Sequence, residues 1–339
     1  MSDMSCLDAP SLLLHGGRLR EAAARYGIAL DVWMDLSTGI NPNGWPVPAL
    51  PPSAWSRLPE DDDGLEDAAR HYYGTDVLFA VAGTQAAIQA LPPLRALCRV
   101  GVLHPGYAEH AHAWQRCGHT VLTVPAERVA DAASSVDVLV LTHPNNPTGA
   151  RFSSAQLLGW HAELAARGGW LVVDEAFMDA TPADSLAPYC PRPGLIVLRS
   201  LGKFFGLAGT RVGFVIAPAL LLRRLRATLG PWCVAAPSRW VATHAMRDRA
   251  WQQSARTRLL SEGERLAALC ARHELAPQGG CALFQWVRTE RAAGLHERLA
   301  RRGILTRLLA DPPGLRFGLP GTESAWARLE TALSEATGR

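Results

Sequence analysis

A chain of 339 residues, 48% hydrophobic and 19% charged, is long enough to bury a full core and is expected to form one large and one small domain. Its formal net charge of +3 is spread along the chain, which argues against a nucleic-acid or membrane surface. No run approaches the ~20 apolar residues a bilayer needs, and the apolar stretch Leu12 to Leu14 is too short for a secretory signal.

The first clear element is the apolar run from Val77 to Val81, leading into Ala82-Gly83-Thr84-Gln85 and an apolar helical stretch. Glycine and threonine at a helix start offer free N–H groups and a hydroxyl to an anion, though an ordinary capped helix would look the same. Next, His104-Pro105-Gly106-Tyr107 is followed by Glu109, His110 and His112. These donors suggest a metal, but no second motif supports one, so none is expected. Val136-Asp137-Val138-Leu139-Val140-Leu141 reads as a strand ending in Thr142-His143-Pro144-Asn145-Asn146-Pro147-Thr148-Gly149. Ser153 or Ser154 is expected to cap a helix running to about Arg167, stopped by Gly168-Gly169. Trp170 to Val173 is a further strand, entering Asp174-Glu175-Ala176-Phe177.

Leu195-Ile196-Val197-Leu198 repeats the pattern and precedes Ser200-Leu201-Gly202-Lys203-Phe204-Phe205-Gly206-Leu207-Ala208-Gly209-Thr210-Arg211. Strand, helix, strand, loop, strand is the rhythm of a parallel sheet, and the fold class is α/β. In such sheets ligands bind beyond the carboxyl ends of the strands. Asn146, Asp174 and Lys203 each follow a strand end, so one ligand is expected to meet all three.

Lys203 is the only lysine among 34 basic side chains. Arginine stays protonated, whereas a lysine can release its proton and attack a carbonyl, so a lone lysine points to Schiff-base chemistry or to chance survival on the surface. A nucleotide-binding phosphate loop at Gly202-Lys203 fails, because position 197 is valine and position 204 phenylalanine. Elsewhere, Arg223-Arg224-Leu225-Arg226 reads as a solvated helix face and Asp61-Asp62-Asp63-Gly64 as a turn. Trp160, Trp170, Trp232, Trp240 and Trp286 read as core or interface aromatics. The seven cysteines lack any Cys-x-x-Cys pair and suit reduced thiols of a cytoplasmic protein.

Taken together, Ala-Gly-Thr at 82–84, Asn-Asn-Pro-Thr-Gly at 145–149, Asp-Glu-Ala-Phe at 174–177 and Ser-x-x-Lys with Arg211 resemble the fold-type I pyridoxal-phosphate enzymes, the class I and II aminotransferases. His15-Gly16-Gly17, Leu36-Ser37-Thr38-Gly39-Ile40-Asn41-Pro42 and the Lys203 segment resemble more closely the threonine-phosphate decarboxylases of cobalamin biosynthesis, relatives of the histidinol-phosphate aminotransferases. The resemblance implies a mostly parallel seven-stranded sheet flanked by helices, plus a smaller α+β domain. It divides the chain into an N-terminal arm (1–40) that packs with the small domain, a large cofactor-binding domain (41–235) and a small C-terminal domain (236–339). It also implies a homodimer with active sites at the interface.

By the same resemblance Lys203 would hold pyridoxal 5'-phosphate as a Schiff base and serve as acid–base, and Asp174 would pair with the pyridine nitrogen. Asn146 would meet the ring's 3-oxygen, Tyr107 its face, and Gly83, Thr84, Ser200 and Arg211 its phosphate. Arg316 would take the substrate carboxylate, with Asn146 beside it. His15, Gly16 and Arg307 would take a substrate phosphate, with Gly39 admitting close approach. Two positions depart from the wider family. Phe177 and Leu58 stand where relatives often carry tyrosines, one on the cofactor's 3-oxygen and one reaching the partner subunit's cofactor phosphate. Loss of the first donor should raise the Schiff base's pKa. The expected reaction is decarboxylation of O-phospho-L-threonine. The alternatives are transamination of a phosphorylated amine such as histidinol phosphate, and a non-catalytic cofactor-binding module of the kind fused to DNA-binding domains, for which no space precedes His15.

Overall fold

The computed structural model describes Leu13 and residues 15–338; residues 1–12, Leu14 and Arg339, with most of the apolar 12–14 run, lie outside the described residues. Twelve strands follow one another among the described residues. They are β1 (Met34–Leu36), β2 (Phe79–Val81), β3 (Arg99–His104), β4 (Thr120–Pro125), β5 (Val138–Thr142) and β6 (Trp170–Asp174). After these come β7 (Leu195–Ser200), β8 (Gly213–Ile216), β9 (Gly279–Cys281), β10 (Phe284–Arg288), β11 (Ile304–Ala310) and β12 (Pro313–Gly318).

Seven strands form one sheet in the order β2-β8-β7-β6-β5-β3-β4. Neighbours from β4 to β7 are parallel, while β8 runs antiparallel to both β7 and β2. Alternate residues of the central strands enter opposite sides of the core. Leu139, Leu141, Leu171, Val173, Leu195 and Val197 face one side, and Val138, Val140, Val172, Ile196 and Leu198 the other. A strand covered on both faces needs apolar residues at every position, which accounts for the unbroken runs. The helix Ser154–Ala165 joins β5 to β6. Its capping box is closed by Ser153 Oγ accepting from the Gln156 N–H at 3.2 Å and Gln156 Oε1 accepting from the Ser153 N–H at 2.9 Å.

The second sheet has the order β1-β11-β12-β10-β9. β1 joins it by pairing parallel with β11, Met34 against Ile304, while β11, β12, β10 and β9 are antiparallel. The helices Ala292–Ala300 and Arg249–Arg272 pack against β11 and β10 respectively. Sequence expectations elsewhere fall into place: Asp61 to Gly64 is a turn, and Arg223, Arg224 and Arg226 lie on the exposed face of the helix Ala219–Leu229. Trp160 and Trp286 are buried, whereas Trp232 is 59% exposed.

Behind the carboxyl ends of β6 and β7 lies a buried ion network. Arg199 donates through Nη1 to Glu175 Oε2 and through Nη2 to Asp179 Oδ1, each at 2.6 Å. Burial alone would disfavour the Arg199 charge, yet Asp179 and Glu175 raise its pKa. Burial acts the other way on Glu175 and pushes its pKa up. Arg199 and Glu175 directly flank Ser200 and Asp174, so the network anchors the backbone from which both of those side chains project.

Candidate active site

β5 and β6 are in register at their last residues, Thr142 beside Asp174, and β7 continues alongside. Their loops therefore open on one edge and enclose a cavity of about 150 Å³. All eight residues expected to hold a cofactor line it: Gly83, Thr84, Tyr107, Asn146, Asp174, Ser200, Lys203 and Arg211. Gln85, Thr142 and Phe177 also line it. Gly83 has φ +73°, and a Cβ there would come within 2.6 Å of Arg211 Nη2, so only glycine lets the guanidinium rest on this backbone. Ser200 Oγ accepts the Gly202 N–H at 3.1 Å, fixing the turn that leads into Lys203.

Lys203 Nζ has no hydrogen-bond or salt-bridge partner among the described residues and lies 5.5 Å from the Phe177 ring centroid. Burial, then the neighbouring Arg316 charge, lower its pKa to about 8. Asp174 is 3% exposed; its Oδ1 accepts the Ala176 N–H at 3.1 Å and its Oδ2 lies 2.9 Å from His110 Nε2. His110 is thus the carboxylate's partner. No group of three metal-ligating side chains occurs among the described residues. Burial, then Glu109, push the Tyr107 hydroxyl up to about 12, so it stays protonated.

A second cavity of about 480 Å³ is lined by His15, Gly16, Ser37 and Arg307. Arg316 stands between the two: it donates to Asn146 Oδ1 on one side and, at 2.7 Å, to the Ser37 carbonyl on the other. Arg307 and Arg316 are directly opposed on β11 and β12. Like charges so placed repel. Burial, then Arg307, lower the Arg316 pKa to about 10. Arg316 Nε is buried without a partner among the described residues. Two facing guanidiniums, one of them bonded only to neutral oxygens, form a place where an anion is favoured. Gly39 lines neither cavity: a Cβ there would approach Phe177 Cε1 to 2.7 Å and Phe284 Cδ1 to 3.1 Å, so its smallness seats these two rings. Leu58 is 64% exposed, away from the cavities.

The model of the aminotransferase class I and II family matches residues 58–337. The chain belongs to this family. It is 58% identical over 322 residues to a threonine-phosphate decarboxylase of Pseudomonas aeruginosa, covering 95% of this chain and 97% of that one. A threonine-phosphate decarboxylase of a Sinorhizobium species is 41% identical, covering 95% and 98%. Among solved structures, a histidinol-phosphate aminotransferase from Sinorhizobium meliloti in complex with pyridoxal-5'-phosphate has the same fold, with a TM-score of 0.81 at 20% identity and 99% of both chains covered. The family's mostly parallel seven-stranded sheet is the one expected from the sequence.

Three neighbours of the site carried no clear mark in the sequence. In the sequence Glu109 and His110 read only as potential metal donors, yet the place of His110 one helical turn after Tyr107 puts those two rings on one face. Gln85 and Glu109 form a polar link at the cavity edge that no motif announced.

Proposed function

We propose that this chain decarboxylates O-phospho-L-threonine to (R)-1-aminopropan-2-yl phosphate in cobalamin biosynthesis, with pyridoxal 5'-phosphate in the first cavity. The observation that carries the reading is 58% identity, over nearly the whole chain, to a relative named for that reaction. The cavity residues suit the cofactor: an amine without a competing partner among the described residues, a buried carboxylate, and an arginine resting on a glycine. When bound, pyridoxal 5'-phosphate supplies an electron sink for the pair released as a bond to Cα breaks.

Lys203 Nζ, partly neutral near physiological pH, would hold the cofactor and serve as the acid–base group beside Cα. Asp174, steadied by His110, holds the pyridine proton and so keeps the ring cationic. Asn146 serves the ring's 3-oxygen through Nδ2, because its Oδ1 is engaged by Arg316. Tyr107 lies against the ring face, while Gly83, Thr84, Ser200 and Arg211 bind the cofactor phosphate. Arg316 takes the substrate carboxylate, and His15, Gly16 and Arg307 take the substrate phosphate. With both anions held by these residues, the substrate's rotation about Cα would be restricted, which is how the chain would select the bond to be broken. Gly39 acts indirectly, by seating Phe177 beside Lys203.

Several coarser features support a homodimer divided into the arm, large domain and small domain given above. β1 of the arm pairs with β11, and Trp55, Leu58 and Trp232 expose 69%, 64% and 59% of their surface, apolar area that a second copy would cover. The described cysteines are free, which favours a reducing, cytoplasmic setting; among the described residues no helix is long and apolar enough to cross a membrane. The test is incubation of the cofactor-loaded protein with O-phospho-L-threonine. Carbon dioxide and aminopropanol phosphate are expected; a keto product with pyridoxamine phosphate would refute decarboxylation in favour of transamination.

A further inference from the structure

Glu109 lines neither cavity yet is bonded to the walls of both. It is the second residue of the helix Ala108–Arg116, and its side chain is 13% exposed. Its Oε1 lies 2.7 Å from His15 Nε2. Its Oε2 accepts from Gln85 Nε2 at 2.6 Å and from Gln89 Nε2 at 3.2 Å. Gln85 belongs to the first cavity and accepts through Oε1 from the Tyr107 hydroxyl at 3.3 Å. His15 belongs to the second cavity. The carboxylate thus receives three donors, at a helix start where negative charge is favoured.

Among the described residues, the segment carrying His15 also meets Tyr107, at 5.9 Å between ring centroids, and Ser37. A Cβ at Gly16 would meet the Ser37 carbonyl at 2.4 Å, and the Gly17 N–H donates to Ser37 Oγ at 2.7 Å. The chain is therefore held at Ser37, and the ring just before it is held at Glu109. Without the second hold, a 41%-exposed side chain beside two glycines would sample many orientations, and binding would bear the entropy of ordering it.

We propose that Glu109 is a positioning residue for substrate recognition. It occupies Nε2 of His15 and holds the imidazole in the wall of the second cavity, where the substrate's phosphate binds. Through Gln85 it also ties that ring to Tyr107, so the anion site and the cofactor face are set in one frame. This rests on the reading of the substrate as a phosphorylated amino acid.

The experiment compares Glu109→Gln and His15→Ala with the parent holoenzyme on O-phospho-L-threonine and on unphosphorylated L-threonine. Each variant is expected to raise KM for the phosphorylated substrate about tenfold with kcat within about twofold, the pattern of lost ground-state binding. The double variant should lose no more than His15→Ala alone, because Glu109 acts through the ring that His15→Ala removes. In Glu109→Gln the loss on L-threonine should be much smaller than the loss on O-phospho-L-threonine. Multiplicative losses, equal losses on both substrates, or an unchanged KM in Glu109→Gln would overturn the proposal. If the parent releases no carbon dioxide from O-phospho-L-threonine, the functional reading fails by itself. Calorimetric titration with inorganic phosphate then decides the role of Glu109: an equal weakening in both variants sustains it, and unchanged affinity in Glu109→Gln overturns it.

Discussion

An ordinary lysine amine has a pKa near 10.5, and burial followed by the Arg316 charge brings Lys203 to about 8. At pH 7.5 roughly a quarter of such amines are neutral, against roughly one in a thousand for the ordinary group. Only the neutral form attacks an aldehyde, so the surroundings raise the reactive fraction by about two orders of magnitude. The assay is stopped-flow absorbance of cofactor-free protein mixed with pyridoxal 5'-phosphate over a pH series. The rate of covalent capture should climb with pH and level off above about 8. Replacing Arg316 with glutamine removes the second cause and should move the midpoint upward, while Lys203→Ala should give no adduct. A parent midpoint near 10.5, or an unmoved midpoint in the Arg316 variant, would refute the reasoning. The same shift has a sign in stability. Between about pH 8 and 10.5 the unfolded chain holds a proton that the folded chain has released, so this lysine's contribution to stability rises with pH across that window.

Two further outcomes concern the scaffold. Gly39→Ala forces a methyl against Phe177 and Phe284 and should cost about 1–3 kcal/mol in urea unfolding, part of which Phe177→Leu restores; no loss would show that the rings yield freely. Arg199→Met strands two buried carboxylates and should cost about 3–5 kcal/mol at pH 7.5. That loss should shrink at pH 5.5 as Glu175, already pushed up by burial, takes a proton, and an equal loss at both pH values would contradict this account.

The central strands were readable because burial on both faces leaves no polar position to blur the run. Their outer limits were less so. β2 begins at Phe79 rather than Val77, since it is an edge strand paired over three residues with β8 alone. The helix after β5 was legible from Ser153 or Ser154 at its start and Gly168-Gly169 after its end, while the part Gln156 plays in the capping box emerged only from the structure. The second sheet offered less: β9 is Gly-Gly-Cys, and β1 finds its partner far along the chain, where no local pattern reaches. The residues of the first cavity were legible because most stand at or just after a strand end in a recognisable motif. The opposition of Arg307 and Arg316 was not, because it depends on the register of β11 and β12. Gly39 was expected at the substrate, but its role is decided by two aromatic rings distant in sequence.

The pairing of β1 with β11 also sets an order in time. Every residue lining the first cavity lies between Gly83 and Arg211, so the ribosome has delivered that site once β8 has emerged. The second cavity needs His15 from one end and Arg307 from the other, and its wall exists only after nearly the whole chain is made. Closing a loop of that length is slow compared with local folding. On the proposed assignment, a nascent chain therefore carries every residue of the first cavity before the wall of the second, where substrate would be recognised, is complete.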